Sequence, residues 1–123
     1  MTIDTNIIIA YLAGDDVVIQ ALTEWRRLGH PLFLSTVVES EVLSFPNWSA
    51  EEREITGLFL EENFASIPFD RAIARIAAQL RAKTKIKFPD AAIVATALSM
   101  HTPLVTRNTR DFKAIPNLEL VTI

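Results

Sequence analysis

The chain has 123 residues, 50% of them apolar and 22% charged, which suits one compact domain with a sizeable core and excludes a disordered chain. Its apolar runs fall far short of the roughly 18 residues of a membrane span, no basic stretch ahead of a hydrophobic one marks a secretory signal, and with no cysteine, disulfides and thiolate metal sites are excluded; a cytoplasmic protein with no membrane partner is expected. The net charge of −3 conceals a polarity: residues 1–70 hold 3 basic and 12 acidic side chains, while residues 71–123 hold 9 basic and 3 acidic.

In chain order, residues 1–4 are expected to form a short buried strand, followed by a helix over Ile7 to Ala13 that stops at Gly14. Asp15 or Asp16 caps a second helix to about Leu28, in which Val18, Ala21, Leu22, Trp25 and Leu28 recur at helical spacing and place Trp25 in the core. Pro31 to Ser35 reads as the second strand. Thr36 and Glu39 then form a capping box that opens a helix through about Phe45, and Ser49 and Glu52 form another, whose helix puts Ile55, Leu58 and Phe59 on its apolar side. Phe64 to Pro68 is the third strand. Asp70 caps a helix carrying Ile73, Ile76, Ala77 and Leu80 that frays near Thr84, and Pro89 suits the first turn of a helix from about Asp90 to Met100. Leu104 to Thr106 and Leu118 to Thr122 supply strands four and five. Strands separated by helices pair in parallel through right-handed crossovers, so the expected fold is a three-layer α/β/α domain around about five short parallel strands. His30 and His101 fall in loops, where surface positions are expected.

An open parallel sheet binds ligands at the carboxyl ends of its strands. Acids stand there: Asp4 ends the first strand, Glu41 lies one turn into the helix after the second, Asp90 opens the helix leading into the fourth, and Asn108 and Asp111 follow it. Each has an ordinary structural use as well. Asp90 suits the positive end of a helix, Asp111 a turn, and Glu41 a solvated helix face. Glu39 is spent on the capping box, which leaves Glu41 as the candidate from that helix; Asp4, at the end of a buried strand, is hardest to explain structurally. Two carboxylates about 5 Å apart at an effective dielectric near 20 repel by roughly 3 kcal/mol, so three together need a cation or take up protons. A hard divalent cation with a nucleophilic water suits phosphodiester hydrolysis. From Arg71 to Lys87, six cations (Arg71, Arg75, Arg81, Lys83, Lys85, Lys87) stand without an anion, as a polyanionic partner requires or as a solvated face allows.

Four segments carry a family resemblance: Ile3-Asp4-Thr5-Asn6-Ile7; Leu34-Ser35 with Glu41-Val42-Leu43; Asp90 to Ala97; and Leu104 to Phe112. In this order and spacing they resemble the PIN-domain ribonucleases, and among them the VapC-type toxins of toxin–antitoxin pairs. The resemblance implies a PIN fold over residues 1–123, dependence on Mg²⁺ or Mn²⁺, and single-stranded or structured RNA as substrate. It makes Asp4, Glu41 and Asp90 the metal-binding acids, with Asn6 and Thr106 as the hydrogen-bonding residues that orient them. Many members carry Asp where this chain has Asn108, so either Asp111 takes that role or Asn108 is a neutral ligand. Asp4 and Asp90 would hold the metal and Glu41 would position or deprotonate the attacking water. Arg81, Lys83, Lys85, Lys87, Arg107 and Arg110 are candidate phosphate contacts. The resemblance further implies a homodimer and a protein antitoxin that inserts an Arg or Lys into the acidic rim. Phe45, Trp48, Phe59 and the helix over Ile7 to Leu12 suit such interfaces or the core equally. A first strand that starts at Met1 is expected to be less well anchored.

Alternatives are a PIN nuclease of RNA processing or decay outside a toxin pair, and a non-catalytic RNA-binding module. A phosphoacceptor receiver domain would need an acid pair after strand one and a Lys after the last strand, and an Asp-x-Asp phosphatase would need an acid at Asn6; the chain has none of these.

Overall fold

Five short parallel strands form one sheet in the computed structural model, which describes residues 1–123. They are β1 (Thr2–Ile3), β2 (Phe33–Ser35), β3 (Ala65–Ile67), β4 (Leu104–Val105) and β5 (Leu120–Val121), in the order β3-β2-β1-β4-β5. The helices are α1 (Thr5–Leu12), α2 (Asp16–Arg27), α3 (Thr36–Leu43), α4 (Ala50–Asn63), α5 (Arg71–Lys83), α6 (Phe88–Met100) and α7 (Thr109–Phe112). Connections from β1 through β3 run toward one edge and those from β3 through β5 toward the other. Right-handed crossovers then put α1 to α4 on one face and α5 to α7 on the opposite one, the expected α/β/α layering. Direction reverses between β1 and β4, and that crevice is where such sheets bind ligands. A receiver domain orders its strands 2-1-3-4-5, so the topology removes that alternative.

Strand β1 is held on both sides, contrary to the expectation of weak anchoring. Thr2 N–H and Asp4 N–H donate to the carbonyls of Pro103 and Val105 at 2.9 and 3.0 Å, and Phe33 N–H donates to the Met1 carbonyl at 2.7 Å. Two central-strand residues bonded on both edges need no longer run.

Side chains cap three helices as the sequence requires: Asp15 caps α2, Ser49 caps α4 in a full capping box with Glu52, and Asp70 caps α5; Asp4, not expected as a cap, opens α1 at Thr5 rather than at Ile7 and so has a structural use the sequence reading did not give it. The cap of α3 differs. Ser35 is the extended residue that turns into the helix and accepts from Val37 N–H at 3.2 Å, whereas Thr36 is already helical and its hydroxyl accepts from Phe69 N–H at 3.1 Å. The Thr36–Glu39 capping box is therefore absent, and Glu39 is not consumed by it. In α4 the buried stripe runs through Thr56 and Leu60, with Phe59 half-buried, and Ile55 and Leu58 are 59% and 50% exposed. The burial stripe lies one position round the helix from the one read in the sequence. Trp25 is half-buried against the core rather than within it, and His30 and His101 are exposed.

The main core has Ile3, Leu34, Leu104 and Val105 of the sheet packed on Ile7, Leu22, Val38 and Ile93 from the helices. Helix α6 is buried all round from Ala91 to Ala97. Ile93, Val94 and Ala97 join the main core, while Ala91 and Ala95 meet Ile73 and Ala77 of α5 in a second, smaller cluster. Small residues on that side let the two helices approach closely, which fixes where the first turn of α6, with Asp90, meets the rim. No single helix is long and apolar enough to cross a membrane.

Candidate active site

Asp4 sits where β1 ends and α1 begins, and it is only 6% exposed. Its Oδ1 accepts from Thr5 N–H at 2.7 Å, as a helix cap does, and its Oδ2 accepts from the Thr106 hydroxyl at 2.7 Å. Thr106 follows β4, so this second bond spans the crevice between the two strands where the sheet reverses. Burial pushes the Asp4 carboxyl above the ordinary aspartate range; the bonds from Thr106 and Thr5 pull it back, and the charge of Glu41 pushes it up again. The Thr106 oxygen also accepts from Asn6 Nδ2 at 3.3 Å and from Asn108 N–H at 3.0 Å, while Asn6 Oδ1 accepts from Arg107 N–H at 3.3 Å. Asn6 and Thr106 thus form one hydrogen-bonded unit behind Asp4.

Glu41 is drawn to the same rim by a residue that sequence reading passed over. Thr5, one position after Asp4, donates its hydroxyl to Glu41 Oε1 at 2.8 Å, tying α3 to the start of α1. No local pattern announces this pairing of residues 36 apart. Asp90, in the first turn of α6, has its carboxyl raised by burial first, then by the charges of Asp4 and Asp111, with Lys87 opposing. Asn108 and Asp111, the two candidates for the fourth acidic position, are bonded to each other: Asn108 Nδ2 donates to Asp111 Oδ2 at 2.8 Å, across the short helix α7 that the sequence reading left as a turn. The Asp111 carboxylate is the charged member, and Asn108 orients it.

The acids face one another without closing into one shell. No three of them come near enough to hold an ion jointly. Beside them opens a cleft of about 400 Å³ whose walls include Lys85, Lys87, Asp90 and Asp111. Of the six cations proposed to meet phosphate, Arg81, Lys83, Lys85, Lys87 and Arg110 are exposed and outside the chain's two ion pairs. Arg107 is exposed as well, but it is also engaged within the chain. Its Nη2 donates to Asp15 Oδ2 at 2.7 Å and its Nε to the Ile123 carbonyl at 2.8 Å. The guanidinium is spent tying the loop after β4 to the cap of α2, and it holds the Asp15 carboxyl below the usual range.

Comparison with known proteins decides the family. The sequence model of the PIN domain matches residues 1–118. This chain belongs to the PIN domain family. Within that setting, a chain of a toxin–antitoxin complex from Klebsiella pneumoniae is 34% identical, with a TM-score of 0.82 over 98% of this chain and 95% of that one. Ribonuclease VapC of Rickettsia bellii is 27% identical across 100% of this chain and 96% of its own length. A chain of VapBC2 from Rickettsia felis, solved on a DNA fragment from its promoter, shares the fold at a TM-score of 0.85 and 22% identity, covering 99% of this chain and 97% of that one.

In this PIN domain, Asp90 takes up its proton more readily folded than unfolded. Stability therefore falls as pH rises through the interval between the two values, and the full penalty persists at neutral pH. In EDTA, Asp90→Asn should melt above the parent at about pH 7, and the gap should close toward about pH 4; equal melting throughout would contradict the crowding. Arg107→Ala and Asp15→Ala should each lower the melting temperature, and the double variant by less than their sum, since one pair is lost once. Additive losses would mean the two side chains do not interact.

Proposed function

We propose that this PIN domain is a divalent-cation-dependent endoribonuclease that acts as the toxin of a toxin–antitoxin pair, with residues 1–123 serving as one catalytic domain. The observation that carries the reading is the gathering of Asp4, Glu41, Asp90 and Asp111 at the sheet's reversal point, with Asp4 and Asp90 both raised by burial and by neighbouring acids. Such a donor set is all oxygen and net negative, which fits Mg²⁺ or Mn²⁺ and not a softer metal. Asp4, Asp90 and Glu41 would hold the ion only by drawing in around it, since no three acids stand close enough to share one as the rim is built. When bound, it supplies the positive charge that lets water attack at neutral pH and that offsets charge gathering on the phosphate.

The chain's own residues do the rest. Thr106 and Thr5 fix both Asp4 oxygens, so the carboxylate cannot rotate away when a ligand approaches. Glu41 has Oε1 engaged by Thr5, which leaves its other oxygen to orient the attacking water and receive its proton. Asn108 aims Asp111 toward Asp90 from the far side of the cleft. Lys85 and Lys87 on the cleft wall meet the phosphates flanking the one that is cut.

The toxin reading is preferred over a nuclease of RNA processing because of the 34% identical chain from a toxin–antitoxin complex. A cognate antitoxin would close the site by placing an Arg or Lys among these acids. Exposed Val17, Leu28, Phe45, Ile55 and Leu58 offer apolar contacts to it and to a second copy in a homodimer, all within the cytoplasm.

Purified chain should cut RNA in Mg²⁺ or Mn²⁺ and lose this in EDTA. Asp4→Asn should fold normally and cut at least about 100-fold more slowly. Mg²⁺ should raise the melting temperature of the parent more than that of Asp4→Asn. Undiminished cleavage by Asp4→Asn would remove this acid from the mechanism.

A further inference from the structure

The cleft lined by Asp90 and Asp111 shares Thr84, Ala114 and Ile115 with a second hollow, of about 360 Å³, between the ends of α5 and α6 and the turn after α7. The shared residues come from both walls, so they form a strait between two parts of one furrow and not a partition. Beyond the strait the lining is largely apolar, with Ile76, Leu80 and Leu98 half-buried and Pro116 exposed. Both walls of the strait are fixed. The Thr84 hydroxyl donates to the Leu80 carbonyl at 2.8 Å and accepts from Ile86 N–H at 3.3 Å, which pins the segment leading to Lys87. Opposite, Ile115 is buried, and its N–H donates to the carbonyl of buried Phe112 at 3.1 Å. The furrow is thus built into the fold and not opened by a free loop.

Two polar side chains enter the apolar part, Gln79 and Lys83. With Ile76 and Leu80 they keep the i, i+3, i+4, i+7 spacing of one face of α5. The Gln79 amide makes no hydrogen bond within the chain, and Lys83 is in neither ion pair. Lys83, Lys85 and Lys87 therefore bring three unpaired cations along the furrow, from its apolar part to the acids. An apolar recess holding one free amide, continuous with a cation-lined cleft, suits a base whose own phosphates run on into that cleft. A protein segment suited to the apolar part would leave those cations without a partner. The amide also narrows which base. It presents a donor beside an acceptor, the complement of the adenine N6 and N7 edge, whereas guanine offers two acceptors there.

We propose that the furrow beyond Thr84 and Ile115 is a base-recognition subsite: it seats one base of the RNA flanking the cut, Gln79 reads that base as adenine, and Lys83 holds a phosphate on the path to the acids. This rests on the ribonuclease reading and adds to it a sequence preference, carried by a residue outside the acidic rim.

The test uses the full chain and two readouts. RNA with a randomised central stretch is cut in Mn²⁺ and its new ends are sequenced, and labelled oligonucleotides differing in one base are bound in EDTA, where nothing is cut. At one position beside the cut the parent should favour adenine over each other base by about 5- to 150-fold, the range for one bidentate pair. Gln79→Ala should lose that preference, yet cut RNA lacking adenine there at about the parent's rate and melt with the parent, since Gln79 is exposed on α5. Gln79→Glu, whose carboxylate only accepts, should turn the preference toward cytosine. Replacing the favoured adenine by 7-deazaadenine, which lacks the N7 acceptor, should weaken binding by the parent and leave Gln79→Ala unaffected. No base preference in the parent, or one that both Gln79 variants keep, overturns the proposal. A changed sedimenting mass in Gln79→Ala with the base preference intact also overturns it, by giving the furrow to a protein contact. The two readings fail separately. Adenine preference in binding that depends on Gln79, without cleavage in Mn²⁺, would leave the subsite standing and sink the nuclease, whereas cleavage with a preference indifferent to Gln79 would do the reverse. A parent that neither binds nor cuts any RNA overturns both.

Discussion

The 2.7 Å hydrogen bond from Thr106 to Asp4 is the constraint on which the site depends. It joins the ends of β1 and β4, the two strands between which the sheet's connections change direction. A buried carboxylate without such a bond would be costly to keep charged. With Thr5 N–H on its other oxygen, Asp4 is held in one orientation and can remain an anion in a place of low polarity. Asn6, Asn108 and Arg107 attach to the same unit through side-chain or backbone groups. The loop that carries Asp111 is therefore positioned relative to Asp4 by hydrogen bonds and by the Arg107–Asp15 pair, not by a long stretch of sheet.

The small net charge of −3 results from two opposed surfaces. Asp4 at the end of β1 and the acids of α3, α6 and α7 repel one another across the rim and call for a cation. Lys85 and Lys87, in the loop before α6, line the neighbouring cleft. Lys87 belongs to both, because its charge eases that of Asp90 while it faces the cleft. A polyanion drawn in by the second surface would be repelled by the first unless a metal intervenes, which couples binding of the substrate to binding of the ion.

Much of this was legible in the sequence. Strand-ending Asp4, helix-opening Asp90 and the acids after β4 follow from topology alone, because right-handed crossovers send each of these positions to one edge. Caps at Asp15, Ser49 and Asp70 followed from local chemistry. Where Ser35 and Thr36 both offered a hydroxyl, the residue that caps α3 was decided by where β2 stops pairing with β3, a tertiary fact. The Thr5–Glu41 bond joins residues 36 apart and has no local pattern to announce it. Arg107 looked like any other cation until Asp15, 92 residues away, was found beside it. Ile55 and Leu58 lie at helical spacing yet face solvent, since periodicity identifies an apolar stripe but not what covers it.

Carboxyl titration by NMR addresses the central claim most directly: Asp4 and Asp90 share one crowded, desolvated rim suited to a divalent cation. In metal-free protein both carboxyls should titrate above the ordinary aspartate range, and added Mg²⁺ should bring both down together. Ordinary values that Mg²⁺ leaves unchanged would contradict the account.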